Sequence, residues 1–94
     1  MIQTPTYALY VGMIRAYGGE MVNFHLDESK GWALDAHELE RAYKEAKDKG
    51  INPKAITIIN PGNPTGSVLS KQNIQDVIKF AYEKNLMILA DEVY

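Results

Sequence analysis

A carboxylate, a primary amide and two hydroxyls stand just beyond two apolar runs, in a pattern suited to holding a small polar ligand. The amide and one hydroxyl, Asn63 and Thr65, belong to the loop Asn60-Pro61-Gly62-Asn63-Pro64-Thr65-Gly66, which follows Ala55-Ile56-Thr57-Ile58-Ile59. The carboxylate and the second hydroxyl, Asp91 and Tyr94, belong to Asp91-Glu92-Val93-Tyr94, which follows Leu86-Met87-Ile88-Leu89-Ala90. A carboxylate accepts hydrogen bonds and favours a cation, while an amide N–H and a hydroxyl can donate. The doubled Asn-Pro step stiffens the loop, because proline fixes φ, removes a donor and holds the preceding residue extended. Either X-Pro bond is a candidate for the cis form, and Gly62 and Gly66 permit positive φ or close backbone approach. The loop lacks the lysine and helix start of a phosphate-cradling P-loop, and the chain has no G-x-G-x-x-G. A loop that merely joins strand to helix is the plainer reading. Two polar turns at the carboxyl ends of neighbouring buried strands favour a ligand site, since open α/β sheets bind there.

The elements that must position these residues alternate between helix-like and strand-like patterns. Leu9, Tyr10, Met13, Ile14 and Tyr17 recur three and four apart between Tyr7 and Tyr17, predicting a short helix stopped by Gly18-Gly19. Glu20 to Leu26 alternates Val22, Phe24 and Leu26 with Met21, Asn23 and His25, the period of a strand. Asp27 to Trp32 is polar. Asp35 then caps a helix to about Lys49 with Leu39, Ala42, Tyr43 and Ala46 on its inner stripe, and Gly50 ends it. Ala55–Ile59 reads as a strand covered on both faces. Ser70 caps a helix to about Lys84 with Ile74, Val77, Ile78 and Ala81 inward, Asn85 breaks it, and Leu86–Ala90 is a further buried strand. The expected fold is α/β: parallel strands joined by right-handed crossover helices in three layers.

Composition narrows the function. Ninety-four residues make at most one small domain, and a net charge of −2 supplies no basic stripe for nucleic acid or an anionic membrane. There is no cysteine, which excludes disulfides and thiolate metal sites. No apolar run approaches the roughly 20 residues of a membrane span, and Met1-Ile2-Gln3-Thr4-Pro5 opens no signal peptide. His25 and His37 are isolated and read as non-catalytic, Trp32, Tyr10, Tyr17, Tyr43 and Tyr82 read as packing, and the charges of Glu38 to Lys49 read as a solvated helix face.

The loop Asn60-Pro-Gly-Asn63-Pro-Thr-Gly66, with Asp91-Glu92-Val93-Tyr94 28 positions after Asn63, resembles fold-type I (class I) pyridoxal-phosphate-dependent aminotransferases. Within them, Leu26-Asp27-Glu28, Gly31-Trp32-Ala33-Leu34-Asp35 and Ile59 to Val68 are similar to alanine aminotransferases, and the likeness covers essentially the whole chain. The resemblance implies pyridoxal 5'-phosphate as cofactor and residues 1–94 as the central part of the large, cofactor-binding domain. It implies that Asp91 pairs with the pyridine nitrogen, that Asn63 and Tyr94 donate to the phenolic oxygen, and that Tyr7 stacks on the ring. It implies alanine:2-oxoglutarate transamination in a full-length parent, with amino-acid and 2-oxo-acid substrates and a homodimeric state.

Transamination needs a Schiff-base lysine, and the resemblance puts it beyond Tyr94. Lys30, Lys44, Lys47, Lys49, Lys54, Lys71, Lys79 and Lys84 fall on loops or exposed helical positions. No catalytic residue or metal ligand is therefore assigned within the chain. The chain alone is expected to be inactive, to bind cofactor weakly at best, and to self-associate through uncovered strand edges. Another aminotransferase or a related lyase on the same fold, and a non-catalytic α/β ligand-binding module, are the competing readings. Compartment is left open between the cytoplasm and an organellar matrix.

Overall fold

A computed structural model describes residues 1–94. In chain order the elements are β1 (Ile2–Thr4), α1 (Ala8–Ala16), β2 (Asn23–His25), a 3-10 turn (Glu28–Lys30), α2 (Ala36–Asp48), β3 (Ala55–Ile59), α3 (Lys71–Glu83) and β4 (Met87–Asp91). The strands form one parallel sheet in the order β2-β1-β3-β4. The sheet thus has one strand more than the sequence pattern predicts. β1 is only three residues long and abuts Pro5, too short to show a period, yet it sits in the middle of the sheet. Conversely, β2 is shorter than the alternating stretch around it, though Val22, Phe24 and Leu26 all point into the core as the alternation requires.

The position of β1 sets the architecture. The chain steps from β1 outward to β2, then back across β1 to β3 and on to β4. Right-handed crossovers in opposite directions put α1 on one face of the sheet and α2 and α3 on the other. The second face is the well-packed one. Phe24, Ile56 and Ile58 meet Leu39, Ala42 and Ala46 of α2 and Val77, Phe80 and Ala81 of α3 in a cluster of 13 buried residues. Tyr43 sets its ring edge-on to Phe80 at 6.0 Å between centroids. The α1 face is looser, for α1 buries none of its residues. A cavity of about 930 Å3 opens between Met13, Ile14 and Tyr17 of α1 and Thr57 and Leu89 of the sheet.

Helix ends follow their local chemistry. The side chain of Asp35 accepts from the N–H of His37 and that of Ser70 from the N–H of Asn73, each satisfying a donor that the first turn leaves free. At the other end, Gly50 takes φ +77° while the Ile51 N–H reaches the Ala46 carbonyl at 2.9 Å. Asn85, at φ +54°, repeats this pattern after α3, with the Leu86 N–H on the Ala81 carbonyl at 2.8 Å. These are Schellman ends, in which glycine or asparagine supplies the left-handed residue.

Three expectations about burial are corrected. β4 is not a buried strand: it is a sheet edge, where Met87 and Leu89 lie on the side that α1 does not cover and Ile88, on the α3 side, is exposed beside Ile78. Ile74 and Ile78 of α3 are also exposed, and Phe80 takes the inward position beside Val77 and Ala81. Tyr17 and Tyr82 project into solvent rather than pack. Trp32 and Tyr43 do pack against the core.

Candidate functional site

The connections that leave β1 on one side and β3 and β4 on the other diverge at the boundary between β1 and β3. A crevice at such a switch point, beyond the carboxyl ends of the strands, is where doubly wound sheets bind ligands. Here the strands splay. Ile2 and Thr57 are the single pair in register between β1 and β3. One step on, the Ile59 N–H is met at 3.1 Å by the side-chain Oε1 of buried Gln3 rather than by a backbone carbonyl.

Tyr7 lies beyond β1 as the N-cap of α1, after the cis bond Thr4-Pro5. The loop after β3 contains two further cis bonds, Asn60-Pro61 and Asn63-Pro64, where one was anticipated. It is tied internally: Asn60 Oδ1 accepts from the Leu69 N–H at 2.9 Å, and the Gly62 N–H donates to the Ser67 carbonyl at 2.8 Å. A Cβ on Gly62 would collide with Thr65 Oγ1, so any larger residue would have to displace that hydroxyl from its place in the loop. Thr65 is itself part of the closure, 2.8 Å from Ser67 Oγ and accepting from the Ser67 N–H. Its hydroxyl therefore serves the loop and does not line the crevice. The Asn60 N–H donates to the Asp91 carbonyl at 2.9 Å, locking this loop to the end of β4.

Tyr7, Ile59, Asn63, Asp91, Val93 and Tyr94 enclose a pocket of about 250 Å3. All four residues singled out from the sequence as cofactor contacts line it. The Asn63 Nδ2 donates to the Tyr94 hydroxyl at 2.6 Å, so amide and phenol converge on one point. Asp91 Oδ2 accepts from the Tyr10 hydroxyl at 2.6 Å, and Oδ1 accepts from the Val93 N–H at 3.3 Å. The hydrogen bond to Asp91, with some desolvation, pushes the Tyr10 hydroxyl up to about 12, so it remains a donor throughout the neutral range. Thr6 Oγ1, next to Tyr7, is buried without a partner.

Tyr10 was expected only to pack, and its hydrogen bond to Asp91 is the contact that the sequence reading missed. Its signal is its spacing from Tyr7: two residues three apart at a helix start share a face. The apolar stripe of α1 concealed it, because tyrosine counts equally well as a packing residue.

The pocket offers a carboxylate and a pair of converging donors, with the apolar walls of Tyr7, Ile59 and Val93 around them. That donor set fits a flat heteroaromatic ring bearing a basic nitrogen and an oxygen acceptor, as pyridoxal phosphate does. At about 250 Å3 the space is below the ~300–1,000 Å3 of a complete small-molecule site, so it accommodates the ring better than a whole phosphorylated cofactor with substrate. No lysine lines it. Lys84 is half-buried, paired with Glu40 at 2.9 Å and placed over the Tyr43 ring. No group of three or more His, Cys, Asp or Glu is arranged to hold a metal ion, and no helix is long and apolar enough to cross a membrane.

Comparison with known proteins agrees with this geometry. The family described as aminotransferase class I and II matches residues 1–94. A probable mitochondrial alanine aminotransferase of Dictyostelium discoideum is 49% identical over 94 residues, covering 100% of this chain and 18% of that protein. Glutamate–glyoxylate aminotransferase 1 of Arabidopsis thaliana is 45% identical over 94 residues, covering 100% of this chain and 20% of the relative. The solved structure of an alanine aminotransferase from Pyrococcus furiosus superimposes with a TM-score of 0.84 at 30% identity, over 99% of this chain and 22% of that one. The chain thus spans about a fifth of the length of the relatives it matches.

Proposed function

This chain belongs to the class I and II aminotransferases, and from that membership we propose that the protein carrying it is a pyridoxal-phosphate-dependent transaminase exchanging the amino group between alanine and 2-oxoglutarate. Residues 1–94 form part of its cofactor-binding domain. The observation that carries this reading is the convergence of Asp91, Asn63, Tyr94 and Tyr7 on one pocket at the switch point of the sheet.

When bound, pyridoxal phosphate supplies an electron sink for charge developing at the substrate α-carbon. The chain's own residues set the conditions for it. Asp91, through a carboxylate oxygen, would hold a proton on the ring nitrogen, since an anion there favours the charged ring. The Asn63 Nδ2 and the Tyr94 hydroxyl would donate to the ring oxygen and fix the ring's rotation about its long axis. Tyr7, Ile59 and Val93 would supply the apolar contacts against the ring. The lysine that transamination requires is assigned to residues outside these 94, and the chain alone is expected to be inactive. A homodimeric state and a location in the cytoplasm or an organellar matrix belong to the same proposal, the organellar option resting on relatives described as mitochondrial.

A different amino donor is the second reading, favoured by the 45% identity to a glutamate–glyoxylate aminotransferase. The residues that would hold the ring are indifferent to the donor, so they do not choose between the two. Titration of the whole protein with pyridoxal phosphate, followed by fluorescence, tests the site. Saturable uptake is expected, and Asp91→Asn should weaken it by about 10-fold to 100-fold, the scale of a hydrogen bond to a charged group. Absence of uptake by the wild type refutes the proposal. Initial rates with alanine and with glutamate against 2-oxo acids then assign the donor.

A further inference from the structure

We propose that Tyr10 is a positioning residue: its hydroxyl holds Asp91 Oδ2 so that the carboxylate meets the cofactor's ring nitrogen in a single orientation. The inference rests on the reading of Asp91 given above and assigns a task to a residue that does not line the pocket.

The need arises from where Asp91 sits. It ends β4, an edge strand, where it is only partly buried and the residues before it are exposed. None of the chain's ion pairs includes Asp91, so no lysine or arginine holds the carboxylate or cancels its charge. Its own turn offers one long contact, the Val93 N–H at 3.3 Å. The 2.6 Å bond from Tyr10 is the short one, in the range of a charge-assisted O–H donor to a carboxylate.

The fold delivers this donor from 81 residues away in sequence. Ile59 and Asp91 are in register, as are Thr57 and Leu89, so Asp91 projects from the same sheet face as Thr57 and Leu89. That is the face flanked by α1 across its cavity. Since α1 buries no residue, apolar packing does not explain why Tyr10 reaches this point. A neutral phenol is also the suitable donor. A lysine or arginine in its place would neutralise the carboxylate that the ring nitrogen requires, whereas a hydroxyl orients the charge and leaves it intact. An ionised carboxylate has about four acceptor positions, and Tyr10 and Val93 occupy one on each oxygen, leaving the others for the ring.

The test uses the whole protein loaded with pyridoxal phosphate labelled with 15N in the ring, whose nitrogen shift reports protonation directly, in wild type, Tyr10→Phe and Tyr17→Phe. Tyr17 is 83% exposed and serves as the control. In Tyr10→Phe the deprotonation midpoint of the ring nitrogen should fall by about one pH unit, with cofactor Kd raised about tenfold, because a carboxylate free to rotate no longer meets the nitrogen in line. Tyr17→Phe should match wild type, and Tyr10→Gln, which keeps an N–H donor, should recover part of the midpoint. A variant that merely loosens α1 would bind more weakly with an unmoved midpoint. An unchanged or raised midpoint in Tyr10→Phe overturns the positioning role and leaves the reading of Asp91 standing. A wild type that takes up no cofactor overturns both.

Discussion

Asn63 and Tyr94 bond to each other at 2.6 Å at an exposed rim, where an isolated pair of neutral groups adds little to stability. Their joint value appears only when a shared acceptor draws on both donors. Asn63→Ala and Tyr94→Phe should therefore each weaken pyridoxal phosphate binding, and the double variant should cost less than the sum. The coupling should be about 0.5–3 kcal/mol, the range for residues in one hydrogen-bond network. Additive losses in binding titrations of the four proteins would show that the two donors act on separate atoms. These residues were legible in the sequence because strand-end turns state their chemistry openly: a carboxylate and an amide have few structural uses at a stiff turn. Thr65 shows the limit of that argument, because its hydroxyl looked equally available and is consumed by the loop's own closure. Tyr10 shows the opposite failure. Nothing in a helical stripe of apolar and aromatic residues says which ring carries its hydroxyl to a strand end far along the chain.

Elements were legible where side chains cap or break them. Asp35, Ser70, Gly50 and Asn85 mark their boundaries through local bonds that need no tertiary context. β1 was not, since its three residues owe their conformation to strands on both sides rather than to any period of their own. Gln3 explains how so short a strand ends: its side chain continues the ladder to Ile59 after the backbones part. At this scale Ser70→Ala should lower stability by about 1 kcal/mol, read as a lower urea midpoint with an unchanged m-value. A pH effect belongs here too. The Glu38 carboxyl is held below the usual carboxylate range, chiefly by the Arg41 guanidinium and also by the His25 N–H. A depressed carboxyl contributes stability that is present above its unfolded value, about 4.3, and is lost as pH falls through its folded value. Wild type should accordingly lose stability over that acid range more steeply than Glu38→Gln, in urea titrations run at successive pH values. Parallel pH profiles would remove Glu38 from the account.

At the scale of the whole molecule, the radius of gyration of 12.5 Å equals the ~12 Å expected of a complete domain of this length. The exposure of Met87, Ile88 and Leu89 is therefore not a sign of a loose chain. Met87 and Leu89 lie on the side of the sheet with fewer layers over it, and Ile88 lies at the outer edge of the α3 side. Sequence periodicity could not reveal this, because it identifies an apolar face without saying whether anything in the chain covers it. The two sheet edges differ in the same sense. At β2 the outward His25 N–H is occupied at 2.9 Å by Glu38 Oε1, a carboxylate that would have to leave before another strand could pair. At β4 the pairing to β3 uses alternate residues, starting with the Met87 N–H on the Lys54 carbonyl, which turns the backbone groups of Ile88 and Ala90 outward with no side chain across them. The isolated 94-residue chain should therefore associate through β4 rather than β2. Sedimentation should show an average mass that rises with concentration across the μM range where exposed edges and apolar surface drive association. Leu89→Lys, which puts a charge on the open edge strand, should shift that rise to higher concentration, whereas Glu38→Gln should leave it nearly unchanged at neutral pH. A chain that stays monomeric over the range and melts in a sharp, concentration-independent transition would mean that α1 closes over β4 in solution and that the open face is not a binding surface.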